Sequence, residues 1–180
     1  MIKKSYPPGP RKKRRYSSGS EYKKELSEKQ KLRSYYGLSE SQFKSYVQES
    51  LKRRGKGGDA TLNLLKEIEK RFDNVVFRLG FAKSRKEAKQ LISHGYFLIN
   101  SKPVNISSRK IKKGDIISFR DSKKNKNLFK SLKLTLKNHQ APEWLVLNRE
   151  KAEGKAKEEP LGENVELPID ITAIFEFYSR

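Results

Sequence analysis

A chain of 180 residues makes one large domain or two small ones, either long enough to bury a core. Lys and Arg number 42 against 21 Asp and Glu, a formal net charge of +21 that demands a polyanionic partner. Nucleic acid is the default, because neutralised phosphates release condensed counterions. The absence of cysteine excludes disulfides and thiolate zinc sites, and the two histidines, His94 and His139, lie too far apart in sequence to suggest a metal site.

The first twenty residues join Pro7-Pro8-Gly9-Pro10 to Arg11, Lys12, Lys13, Arg14 and Arg15, then to Ser17-Ser18-Gly19-Ser20. Such a segment cannot bury enough apolar surface to fold alone and reads as a basic arm that orders on its partner, with a solubilising tail as the plainer reading. It has no apolar core of a secretory signal, and no window of the chain approaches a membrane span, so a soluble, unexported protein without a membrane partner is expected. Capping-box spacings at Ser27/Gln30 and Ser39/Gln42, with terminating glycines at Gly37 and Gly55, predict helices near 28–36 and 40–54. In the second, Phe43, Tyr46, Val47 and Leu51 recur at helical spacing as a core stripe. The glycine-rich stretch 55–59 lacks the Ser/Thr ending and preceding strand of a phosphate-cradling loop and reads as a joint.

Asp59 can cap one long helix in which Leu62, Leu65, Ile68, Phe72, Val75, Val76 and Leu79 trace a single face up to Gly80. Ser84 and Glu87 then form a third capping box, opening a helix that Gly95 closes. On it Ala88, Leu91 and Ile92 share a buried face; Arg85 and Lys89, a turn apart with Lys86 beside them, make a cationic one. A solvated charge face is the usual reading of that pattern, but the overall charge favours an RNA-facing surface. Residues 96–106 carry a hairpin signal with Asn100-Ser101 at the turn, and Gly114 precedes a further strand near 116–119, giving a small antiparallel sheet. Leu128, Leu132 and Leu136 suggest a marginal helix within 121–141, and Trp144-Leu145 a packing anchor. Residues 150–159 read as an exposed charged connector, and 174–178 as a terminal strand.

The stretch IEKRFDNVVFRLGFAKSRKEAKQLI, followed by SHGYFLINSKPVNI and KKGDIISF, resembles the RNA-binding module named after small-subunit ribosomal protein S-four. The flanks YPPGP, EKQKLRSYYGLSESQFKSYV, PEWLVLN and FEFYSR extend this resemblance, in order, over nearly the whole chain to the bacterial-type S-four family. Members are usually longer at the N-terminus and often carry a cysteine zinc knuckle there, so this chain is expected to be a short form without it. Phe72 and Ser101 replace an aliphatic residue and a glycine of the module.

The resemblance implies an α+β protein: a mostly helical domain with an inserted small RNA-binding module, a helix-turn-helix-like pair beside a small antiparallel sheet. The expected units are a basic arm at 1–20, the first part of the helical domain at 21–70, the module at 71–135, and a segment at 136–180 returning to the helical domain. It further implies a ribosomal role, cytoplasmic with an organellar ribosome as the alternative, as a primary binder of small-subunit (16S-type) ribosomal RNA at a 5′-domain junction, nucleating assembly. Messenger RNA would pass Arg11 to Arg15 at the entry channel, and proteins S-five and S-three would be neighbours, the former contact bearing on decoding accuracy.

Because A-form grooves offer side chains little sequence information, contacts are expected through phosphates and 2′-hydroxyls. The candidates are Arg78, Arg85, Lys89, Gln90 and His94 from the module's helices, Arg109, Lys110 and Lys113 from its sheet side, and Arg33, Lys52, Arg53 and Arg54 from the helical domain. Tyr35 and Tyr36 are candidates for base stacking or for packing. No acid/base constellation, cofactor motif or small-molecule site is evident. The rival readings are an accessory RNA-binding part of an RNA-modifying enzyme, for which too little chain lies outside the module, and a stand-alone RNA-binding chaperone, which would not be expected to carry YPPGP and FEFYSR.

Overall fold

The computed structural model describes residues 20–54, 59–124, 132, 136, 138–160 and 168–179. The basic arm with Arg11 to Arg15, the joint at 55–58, Leu128 and the side chain of Arg54 lie outside the described residues.

Helix α1 spans Glu21–Tyr36 and starts earlier than Ser27 and Gln30 suggest. The amides of Lys23 and Lys24 already bond to the Ser20 carbonyl, so Ser27 falls inside the helix, where no free amide needs a cap. Gly37 ends α1 in the left-handed conformation at φ 61°, which costs a residue without a Cβ nothing. Helix α2, Glu40–Arg54, opens with the expected reciprocal box: Gln42 N–H donates to Ser39 Oγ at 3.3 Å, and Ser39 N–H donates to Gln42 Oε1 at 3.4 Å.

The long helix expected from Asp59 to Gly80 is two helices, α3 (Ala60–Glu69) and α4 (Phe72–Arg78), broken at Lys70 and Arg71. Asp59 caps α3 as predicted, accepting from Thr61 N–H at 2.7 Å. The break follows from pairing with the segment 109–111. Phe72 N–H donates to the Arg109 carbonyl and Ile111 N–H to the Lys70 carbonyl, both at 2.8 Å, and Arg71 bridges Lys110 in extended conformation. Apolar periodicity runs through the break because both helices face cores, so the pattern alone reads as continuous.

Helix α5, Arg85–Ser93, is capped by Ser84, whose Oγ accepts from Glu87 N–H; Glu87 in turn accepts from Lys83 N–H at 2.6 Å. Beyond it strands β1 (Phe97–Ile99), β2 (Lys102–Pro103), β3 (Ile116–Phe119), β4 (Leu145–Asn148) and β5 (Glu153–Ala156) form one antiparallel sheet of order β2-β1-β3-β5-β4. Asn100 and Ser101, at φ 49° and 65°, turn the β1–β2 hairpin, and Asn100 Oδ1 accepts from Ile116 N–H to hold β3 beside it. A short helix, α6 (Asp121–Lys124), follows β3. Leu132 and Leu136 are buried in the module's core, and Trp144 packs half-buried against it.

Two expectations for the C-terminal part change. Residues 153–156, read as part of an exposed connector, form β5 in the body of the sheet. Their inward face is made by Ala152, Gly154 and Ala156, small residues that charge counting overlooks, and a Cβ at Gly154 would collide with Leu79, which caps the end of α4. The sheet therefore draws 145–156 into the module, whereas residues 171–179, with Ile169 and Asp170 leading into them, pack into the helical part. Those residues are helix α7 (Ile171–Ser179), not a strand. Asp170 Oδ1 accepts from Ala173 N–H at the helix start, and Ile174 and Phe175 reach the core formed by Leu32, Phe43, Val47, Leu64 and Ile68.

The described residues thus form two cores. One joins α1, α2, α3 and α7; the other joins α4, α5 and the sheet around Phe72, Phe81, Phe97 and Phe119, with Phe97 and Phe119 ring centres 4.7 Å apart. Among the described residues no helix is long and apolar enough to cross a membrane.

Candidate nucleic-acid interface

Between the two cores lies a buried polar layer, and its centre is Glu69, 1% exposed at the end of α3. Its carboxylate accepts from Tyr36 Oη at 2.7 Å, from Asn74 Nδ2 at 2.7 Å, and from Arg78 through Nη2 at 2.7 Å and Nε at 3.2 Å. A carboxylate so deep is tolerable because each lone pair finds a donor. Burial pushes the Tyr36 hydroxyl far above its ordinary range, and the charge and hydrogen bond of Glu69 add to this. For Arg78, burial alone would weaken the proton, but Glu69 outweighs it and the guanidinium is held above its ordinary value.

A second pair is as deep. Arg71, 1% exposed, donates Nε to Asp73 Oδ1 at 3.0 Å and Nη2 to Oδ2 at 2.7 Å, with Nη1 on Tyr46 Oη at 3.0 Å. Here too burial opposes the charge and Asp73 overrides it. The bidentate fork suits Arg rather than Lys.

The cationic face of α5 meets this layer. Arg85 Nε donates to Asn74 Oδ1 at 2.9 Å, and its guanidinium lies over Tyr35, Tyr36 and Phe77. Lys89 Nζ donates to the Gly37 carbonyl and sits 3.8 Å from Asp73 Oδ2. Burial draws the Lys89 ammonium below its ordinary value; Asp73 partly offsets this and Arg71 reinforces it. Tyr35 and Tyr36 accordingly serve as packing partners of a cation. Farther out, Arg53 pairs with Glu49 at 2.7 Å and Glu67 at 3.1 Å, and Lys110 also reaches Glu67. Burial would raise the Glu67 carboxyl, but Lys110 and Arg53 prevail and lower it.

Of the predicted contacts, then, Arg78, Arg85 and Lys89 are engaged between the cores, while Arg53 and Lys110 remain exposed but ion-paired. Arg33 is 3.3 Å from Glu40. Lys52, Gln90, His94, Arg109 and Lys113 are exposed. Two further lysines that were not among the predicted contacts, Lys44 and Lys86, are exposed as well. On α5, Lys86, Gln90 and His94 stand at four-residue steps along the solvent side, and Lys44, Gln48 and Lys52 do the same on α2. The signal that finds them is a phase one residue off the apolar face's neighbours, which charge clustering alone does not supply.

Two family models match the chain, each over part of one unit. Residues 70–117 match the S4 domain, and residues 1–66 match the ribosomal protein S4/S9 N-terminal domain. The chain is 43% identical to a protein of Halothermothrix orenii named small ribosomal subunit protein uS4, over 99% of this chain and 84% of the relative. Relatives of the same name from Syntrophomonas wolfei and Thermus thermophilus are 42% and 39% identical, each over 100% of this chain and 85% of its own length. The chain belongs to the ribosomal protein S4 family. Membership makes it a structural, RNA-binding protein and not an enzyme, and it agrees with the α+β architecture of helices beside a small antiparallel sheet.

Proposed function

We propose that this chain is a structural constituent of the small ribosomal subunit that binds small-subunit ribosomal RNA early, at a 5′-domain junction, and nucleates assembly there. The observation that carries the reading is the S4 domain joined to its family's N-terminal domain in one chain of charge +21, with Lys44 and Lys52 of α2 and Lys86 of α5 exposed and without an ion pair among the described residues. Phosphates and 2′-hydroxyls of folded RNA would meet Lys44 and Lys52 of α2, Lys86, Gln90 and His94 of α5, and Arg33, Arg109 and Lys113 at the margins. Arg53 and Lys110 would exchange their carboxylate partners for phosphate on binding.

The basic arm at Arg11 to Arg15 would face messenger RNA in the entry channel, and proteins S-five and S-three would be neighbours; the family resemblance supports these finer assignments. The protein would reside in the cytoplasm with the ribosome, as a bacterial ribosomal protein does.

The test is binding of the full chain to a 5′-domain fragment of small-subunit ribosomal RNA across a salt series, together with co-sedimentation with small subunits. Tight binding that weakens steeply with salt is expected, because many counterions are released. A flat salt response, or a chain that stays in the supernatant, would count decisively against it.

A further inference from the structure

Arg85 and Lys89 bridge the two cores. The Arg85 guanidinium lies 4.4 Å from the ring centre of Tyr35 and 4.8 Å from that of Tyr36, both at the end of α1, and 4.5 Å from that of Phe77 on α4. Its buried Nη2 has no hydrogen-bond partner among the described residues, so ring faces surround it in place of an acceptor. One turn on, Lys89 donates to the carbonyl of Gly37, the left-handed residue that ends α1, and a Cβ at Gly37 would touch its Nζ at 3.7 Å. Both cations on α5 thus hold the same end of α1, from the other side of the Lys70–Arg71 break.

We propose that Arg85 and Lys89 are positioning residues that fix the angle between the helical part and the module, and so preset the spacing of the basic stripes on α2 and α5, without touching RNA themselves. The inference rests on the RNA-binding reading above. A binder with two separate patches gains from the second patch only while it stands where the RNA presents its phosphates. Locking the spacing beforehand removes an ordering cost from the bound state. A guanidinium among three rings suits this task because its plane, and not its charge alone, sets the approach of α5 to α1.

The chain has no cysteine, so cysteines introduced at the exposed Ser45 of α2 and Lys155 of β5, neither of them among the proposed RNA contacts, can carry a fluorophore pair that reports the spacing in the full chain. Arg85→Ala should broaden the distance distribution and weaken binding to the 5′-domain fragment by about tenfold, with the log–log salt slope unchanged because no phosphate contact is lost. Arg85→Lys, which keeps the charge but not the plane, should behave like Arg85→Ala. Lys89→Met, at a partly exposed site, should shift both readouts in the same direction by less, and covers the case in which the Arg85 variants do not fold.

A salt slope reduced by about one with an unaltered distance distribution would make Arg85 a phosphate contact and overturn the proposal. So would wild-type affinity in Arg85→Lys, or a Lys89→Met chain that matches wild type in both readouts. Should the unmodified chain fail to bind the RNA, the RNA reading falls, and the distance measurement still decides whether Arg85 fixes the spacing.

Discussion

Along α5, Arg85 and Lys89 turn toward the end of α1, whereas Lys86 and Gln90, each one residue later, turn to solvent with His94. A rotation of roughly 100° separates the two sets. On the inner side each cation has exchanged part of its hydration for fixed partners: an amide oxygen and three rings for Arg85, a carbonyl and a distant carboxylate for Lys89. On the outer side the polar heads keep their hydration and remain available to a polyanion. The lesson is that a basic helix is not one surface. Which of its charges can meet RNA is decided by what the opposite element offers, and here α1 offers aromatic faces and a free carbonyl at its end.

The contrast is broken most forcefully from the inside. Asp73→Ala would leave Arg71 buried without its bidentate partner, and urea unfolding should show a loss of about 3–5 kcal/mol. A loss below about 1 kcal/mol would mean that water reaches this layer and that inner and outer charges differ little. The outer side should give the reverse pattern. Lys52→Ala with Lys86→Ala should leave unfolding within about 0.5 kcal/mol of wild type while lowering the salt slope of RNA binding by about two. Destabilisation comparable with that of Asp73→Ala would erase the distinction.

Acid sharpens it further. Burial acts to raise the Glu67 carboxyl, but Lys110 and Arg53 leave it below its ordinary 4.5; the Lys29 hydrogen bond does the same for Glu40, against burial. A carboxyl depressed in the fold contributes stability that is complete above the unfolded value and disappears as pH falls through the folded one. The urea midpoint should therefore fall as pH drops below about 4.5, and Glu67→Gln should flatten that fall. An unchanged pH profile in Glu67→Gln would assign the acid sensitivity elsewhere. The smallest effect is expected far from both faces: Ser101→Gly relieves a left-handed residue in the β1–β2 turn and should add about 0.5–1 kcal/mol without altering RNA binding.

Local chemistry was well written in the sequence. The boxes at Ser39/Gln42 and Ser84/Glu87, the cap at Asp59, the left-handed glycines and the hairpin at Asn100-Ser101 all depend on residues within a few positions of one another. What escaped depends on partners far along the chain. The break at Arg71 exists because residues 109–111 supply its hydrogen bonds, and β5 exists because β3 and β4 flank a strip of Ala and Gly too small to register as apolar. Alternation of Ala152, Gly154 and Ala156 was the available clue. In 174–178 the aromatic run suits strand propensity, but an Asp cap at 170 and an apolar groove beside α1 select a helix. The inner role of Arg85 was illegible for the same reason, since its ring partners Tyr35 and Tyr36 lie about fifty positions upstream.

The pairing of α1 with α7 has a consequence for the order in which the protein is made. Glu28 of the first described helix accepts from the Asp170 amide across 142 positions, and Ile174 and Phe175 cover the apolar side chains of α1, α2 and α3. The sheet likewise waits for residues 153–156, which enter it beside β3. During synthesis the module can therefore close first, while Phe43 and Val47 stay uncovered until residues 171–179 have cleared the exit tunnel. Throughout that interval a strongly cationic nascent chain exposes its helical core.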